Sequence, residues 1–144
     1  MADTILINSG VVKKTFETID GKKCECSYNP TDGNFIEKLF NAFETLDKKQ
    51  EAYKAEATTN ANKREIFQTG RKMDEEIRET LSDIFGFDIC TALFGDMTVY
   101  ALGDGLPVWA NLLLAIMDDL DTTFAREQKA TNPRINKYTK KYHK

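Results

Sequence analysis

The amino-acid sequence predicts a mainly α-helical protein of the α+β class, with an N-terminal β-hairpin packed on a bundle of three to four helices. Asp20-Gly21, a strong turn dipeptide, separates two runs of β-forming residues. Further along the chain, apolar residues recur at the spacing of amphipathic helices. A length of 144 residues is typical of one domain. We therefore expect a single helical domain over residues 1–125 and a basic tail over residues 126–144.

The hairpin is predicted over residues 12–28. A three-residue loop at 19–21 would place Phe16 on the same face as Cys24, whereas a two-residue loop would place them on opposite faces. We favour the three-residue loop, with Gly21 in a left-handed bulge. The shared face then also holds Val12, Cys26 and Tyr28. An isolated hairpin is marginal in water, so this face is expected to pack on the helices that follow.

The first helix is predicted to begin after the turn-rich segment 29–34, where Asn34 and Glu37 form a plausible capping pair. Its apolar stripe consists of Phe35, Ile36, Leu39, Phe40, Phe43 and Leu46. Residues 47–63 keep helix-forming side chains but have few large apolar ones, which fits either a solvated extension of the helix or a mobile connection. The expected break is at 58–60.

The second helix is indicated by Ile66, Met73, Ile77, Leu81, Ile84 and Phe85. This pattern covers only about two and a half heptads and contains Gly70, which favours packing within the monomer over an intermolecular coiled coil.

The remaining elements are a short helix and a long one. The short helix is predicted between a cap at Asp88 and a stop at Gly95. The sequence leaves 96–102 open between a strand, irregular structure and a short helical segment. Residues 104–107 are predicted to start the last helix. The stripe of that helix is Val108, Trp109, Leu112, Leu113, Ile116, Leu120 and Phe124.

Charge divides the chain into an acidic body and a basic tail. The net charge is −3, but it is +6 over residues 126–144 and −9 over residues 1–125. The tail could bind nucleic acid or an acidic partner through Arg134, Lys137, Lys140 and Lys141, or could simply aid solubility. A pI of about 5.3 argues against nucleic-acid binding by the rest of the chain.

The sequence offers no catalytic constellation, so we expect a protein that is not an enzyme and that uses no metal or cofactor. It has a single histidine. Cys24 and Cys26 lack the spacing of a zinc knuckle, and the aspartates at 118, 119 and 121 are explained by a solvated helix face. Three cysteines without an export signal indicate reduced thiols, and no stretch is apolar enough to span a membrane.

Several short motifs resemble the tail assembly chaperones of long, non-contractile-tailed phages that infect Gram-positive bacteria. The motifs are Asp20-Gly21-Lys22 in the hairpin, Asn34-Phe35-x-x-Lys38-Leu39, Ile84-Phe85-Gly86, Leu93-Phe94-Gly95-Asp96 and the closing amphipathic helix. The resemblance spans residues 12–125. It implies a non-enzymatic protein of the host cell cytoplasm that coats the tape-measure protein and recruits tail-tube subunits.

Candidate partner contacts are large apolar residues, mostly from the helical stripes: Phe35, Phe40, Phe43, Ile66, Met73, Ile77, Phe87 and Trp109. If the last stripe fills the core, the stripes at 35–46 and 66–85 become candidate surfaces for self-association. The alternative function is a small acidic phage inhibitor that binds a host defence or nucleic-acid enzyme through the charge of the body. Strong dependence of binding on salt would distinguish the inhibitor from a chaperone.

Overall fold

A computed structural model describes residues 2–129. The elements are β1 (Val12–Glu17), β2 (Lys23–Tyr28), α1 (Gly33–Thr59), α2 (Lys63–Phe85), α3 (Ile89–Phe94), β3 (Leu102–Gly103), β4 (Leu106–Pro107) and α4 (Val108–Lys129). The predicted α+β class, with an N-terminal hairpin and four helices, is confirmed. The predicted tail contacts Arg134, Lys137, Lys140 and Lys141 lie outside the described residues, and α4 continues past the expected boundary at residue 125.

The β1–β2 hairpin has the predicted register. Phe16 pairs with Cys24, and Val12 pairs with Tyr28. The Thr18 amide donates to the Lys22 carbonyl at 2.9 Å, which leaves the three-residue loop 19–21. Gly21 has φ of +96°, in the left-handed region that glycine enters without a steric penalty. Cys26 and Tyr28 are buried, so the shared face packs on the helical core as expected.

Helices α1 and α2 form an antiparallel pair joined at residues 60–62. The helix extension considered for residues 47–63 is present, because α1 continues to Thr59 before the chain turns. Lys49 on α1 pairs with Glu76 on α2 at 2.8 Å. Gly70 lies where the Tyr53 and Tyr100 hydroxyls meet α2, and a Cβ there would come within 2.8 and 2.6 Å of them. The missing side chain of Gly70 therefore gives these two rings room beside α2.

Two local predictions were wrong. Asp32, not Asn34, caps α1, because its side chain accepts a hydrogen bond from the Asn34 amide. Residues 104–107 do not begin α4. Asp104 and Gly105 both have positive φ and form the turn between β3 and β4, after which the helix begins at Val108. This is the Asp-Gly chemistry of a tight hairpin turn, used a second time.

All four helices contribute to the core, and they supply most of its side chains. Its fully buried side chains include Leu39, Leu46, Ile77, Leu81, Ile89, Leu113 and Trp109. Phe43 packs edge-on against Trp109 with ring centroids 5.7 Å apart. Trp109 also donates its indole N–H to Gln50 at 3.3 Å, which satisfies the one polar atom of that ring. No helix within residues 2–129 is long and apolar enough to cross a membrane.

A polar clamp centred on Arg78 joins α2 to α3 and to the loop that follows α3. Asp74 accepts hydrogen bonds from Arg78 Nε at 3.1 Å and from the Val99 amide at 2.7 Å. Arg78 also donates to the Thr91 hydroxyl and to the carbonyls of Gly95 and Met97. This clamp fixes the loop at 95–99, which borders the site described next.

Candidate functional site

An open groove runs between the hairpin and α4. Its volume is about 760 Å³, within the range of about 300–1,000 Å³ usual for ligand clefts. One wall is β1 with the hairpin loop, and the other is the side of α4 that carries Leu112, Ala115 and Ile116. Leu93, Phe94 and Met97 close the end beside α3. The surface inside is mainly apolar, contributed by Phe16 and Ile19 from the hairpin and by Val108, Leu112, Ala115 and Ile116 from α4.

The free edge of β1 faces this groove. Residues 14–18 all line it, although successive side chains of a strand point to opposite faces. The Thr18–Lys22 bond makes that pair hydrogen-bonded, so by alternation the pairs at Phe16 and Lys14 are bonded too. The main-chain groups of Thr15 and Glu17 therefore point away from β2. Since β2 is the only strand paired with β1 in the described chain, these groups can bind an added strand.

The rim of the groove is predominantly acidic. Glu17, Asp20, Asp104 and Asp119 contribute carboxylates, and Lys14 is the one basic residue of the lining. Lys14 pairs with Asp119 at 3.6 Å, and Asp119 also accepts a hydrogen bond from the Tyr28 hydroxyl at 3.1 Å. Burial, followed by this bond to Asp119, raises the pKa of Tyr28 above its usual range. The Tyr28 hydroxyl thus stays a proton donor that anchors the hairpin to α4.

The residues predicted to contact partners lie elsewhere. Met73, Ile77 and Trp109 are in the core, where their packing against neighbouring helices removes them from any partner. Phe35 is half-buried and stacks on Tyr28, with ring centroids 4.9 Å apart. Phe43, Ile66 and Phe87 are also half-buried. Phe40 alone of the eight is well exposed, at 53%.

None of the eight predicted contacts lines the groove. The stripes at 35–46 and 66–85 were candidate surfaces for self-association, yet Leu39, Leu46 and Leu81 lie within the chain's own core. Val108, Leu112 and Ile116 of the groove belong to the last helical stripe, which was expected to fill the core. That stripe is wide, and its width was the available signal that one side of it remains open.

The groove has the character of a binding surface. Within residues 2–129, no group of three or more histidine, cysteine or acidic side chains is arranged to hold a metal ion. Cys26 and Cys90 are buried, and burial raises the pKa of their thiols to about 11 and about 12. Thiols in this state are poor nucleophiles at neutral pH. What the groove offers instead is an apolar surface beside unpaired main-chain groups.

The chain matches no family model, no curated protein and no solved structure. The groove and the motifs noted above are thus the grounds for the functional proposal.

Proposed function

We propose that this protein is a non-enzymatic assembly chaperone that holds an extended apolar segment of a client protein in the groove between β1 and α4. The observation that carries the proposal is the free edge of β1 beside an apolar wall. A strand edge binds any extended chain through main-chain hydrogen bonds, while the wall accepts alternate side chains of that chain. Such recognition tolerates different sequences, as a chaperone requires.

The motif resemblance suggests the client. Tail assembly chaperones act on the tape-measure protein and on tail-tube subunits, so we propose these as partners, bound in the cytoplasm of the host cell. The acidic rim adds a chemical requirement. A client segment should be apolar in its centre and basic at its flanks, where it meets Glu17, Asp20 and Asp104.

Affinity purification from phage-producing cells tests the proposal, with bound proteins identified by mass spectrometry at low and high salt. The test variant is Ala115→Arg, which places a long cation in the groove at an exposed position of α4. The matched control is Ala125→Arg, which makes the same change at an exposed position of the same helix outside the groove lining.

We expect the natural sequence and the control to recover tape-measure or tail-tube protein at both salt concentrations, and Ala115→Arg to recover at least tenfold less. Recovery of a single host enzyme that is released by salt would overturn the chaperone proposal and favour the function of an acidic inhibitor. Equal recovery of tail proteins by both variants would place the client on another surface.

A further inference from the structure

The N-terminal arm, residues 2–11, displays an aliphatic run that no other part of residues 2–129 covers. Ile5, Leu6 and Ile7 are 84%, 92% and 84% exposed. Single exposed aliphatic residues are common on protein surfaces, but three consecutive ones at this exposure form an apolar segment that favours association. The arm lies outside any helix or strand.

We propose that the Ile5–Ile7 run docks in the groove of a second copy of this chain, as a strand added to the free edge of β1. The two surfaces match in chemistry. The groove combines an apolar wall with unpaired main-chain groups. The arm provides aliphatic side chains at 5–7, where the backbone makes no backbone–backbone hydrogen bond within the described residues.

The arm is held away from the groove of its own chain. The Asn29 side chain donates to the Ser9 carbonyl at 2.8 Å, and Asn29 directly follows β2. The Gly10 amide donates to the Asn8 side chain at 2.9 Å. Gly10 has φ of +74°, and a Cβ there would lie 2.7 Å from Nδ2 of the Asn29 side chain. Glycine is therefore needed for this bend. The arm therefore leaves the hairpin beside β2, while the groove opens along the opposite edge of β1.

No residue from 2 to 13 lines the groove, which agrees with this separation. The contact with Asn29 holds the arm away from its own groove but does not prevent it from reaching the groove of a second copy. Between Thr4 and Val11 the arm carries no charged side chain, so the acidic rim neither attracts nor repels the docking segment. Self-association through the arm is thus expected to depend only weakly on salt.

This inference shares the groove with the proposed function, and it adds a form of regulation. A client with basic flanks gains contacts to the acidic rim that the uncharged segment 4–11 lacks. Such a client displaces the arm, and the arm in turn covers the groove while no client is present. The docking of the arm itself does not require a client.

Mixing two complementary variants of the full chain tests the docking. The arm variant replaces Ile5, Leu6 and Ile7 by serine and keeps the groove, whereas Ala115→Arg keeps the arm and blocks the groove. Analytical ultracentrifugation of the natural chain should show species larger than the monomer that increase with concentration. Each variant alone should lose at least tenfold in association constant, and Ala125→Arg should behave like the natural chain.

An equal mixture of the two variants should restore a complex, because one intact arm then meets one intact groove. A mixture that stays monomeric would refute the docking. A natural chain that is monomeric at all concentrations would refute it as well. The client assay separates the two proposals. The arm variant should still recover client because its groove is intact. Loss of self-association with retained client binding therefore supports docking, whereas retained self-association with loss of client binding overturns it.

Discussion

Replacing Arg78 by alanine should destabilise the protein far more than breaking the shorter ion pair between α1 and α2. Arg78 and Asp74 are 17% and 14% exposed, and their bond is 3.1 Å long. Lys49 and Glu76 are closer, at 2.8 Å, but each is 40% exposed. Burial, not distance, sets the cost, because an exposed partner left alone is rehydrated whereas a buried one is not.

The magnitude follows from what the substitution leaves behind. Removing Arg78 deletes its bonds to Asp74, Thr91, Gly95 and Met97, and leaves the Asp74 carboxylate with the Val99 amide as its remaining partner. Breaking one side of a buried pair costs about 3–5 kcal/mol. Since some water reaches this pair, we expect about 3 kcal/mol, at the low end of that range. Lys49→Ala should cost about 0.2–1 kcal/mol.

Urea unfolding followed by Trp109 fluorescence measures both changes. With a slope of about 2 kcal/mol per molar urea, Arg78→Ala should lower the midpoint by about 1.5 M. A double-mutant cycle with Asp74→Ala should give an interaction energy of about 1–3 kcal/mol. A loss below 1 kcal/mol for Arg78→Ala, or a loss equal to that of Lys49→Ala, would refute the reasoning from burial.

Three further predictions concern the hairpin, the helix pair and the thiols. Gly21→Ala should cost about 1 kcal/mol of unfolding free energy because φ is +96° there, whereas Gly33→Ala, at the open start of α1, should be neutral or slightly stabilising in the same urea assay. Gly70→Ala should cost about 1–3 kcal/mol through the clash with two tyrosine hydroxyls, despite the better helix propensity of alanine, and Tyr100→Phe in the same chain should recover part of that loss. In the fold, the pKa of the Cys26 thiol is raised from 9.0 to about 11 and that of the Cys90 thiol to about 12. Their contribution to the free energy of unfolding is therefore complete below pH 9 and is lost as the pH rises towards 12. The loss is about 1.4 kcal/mol per pH unit for each thiol. Urea midpoints at pH 7, 9 and 10.5 should show this fall, with a smaller slope in Cys90→Ala; an identical slope would contradict the assignment to Cys90.

The hairpin register and the helical stripes could be predicted because they depend on neighbours in sequence. Placing Phe16 and Cys24 on one face needs only the loop length and the alternation of a strand. The same local logic predicted the Asp88 cap and the Gly95 stop of α3. It failed at Asp104-Gly105, where the proline and the helical stripe that follow pointed to a helix start, although the dipeptide favours a tight turn as strongly as Asp20-Gly21 does.

The tertiary structure alone decided which apolar residues remain accessible. Periodicity shows that Met73, Phe40 and Trp109 each belong to an apolar stripe, but not which stripes face one another, and packing buries Met73 and Trp109 while leaving Phe40 exposed. The Arg78 clamp joins groups up to 25 residues apart, and the groove combines β1 with a helix about a hundred residues further along the chain. No spacing in the sequence encodes such contacts, because they exist only once packing has brought distant elements together. For the groove, that step is the placement of the hairpin against α4, held by the burial of Tyr28 and its hydrogen bond to Asp119.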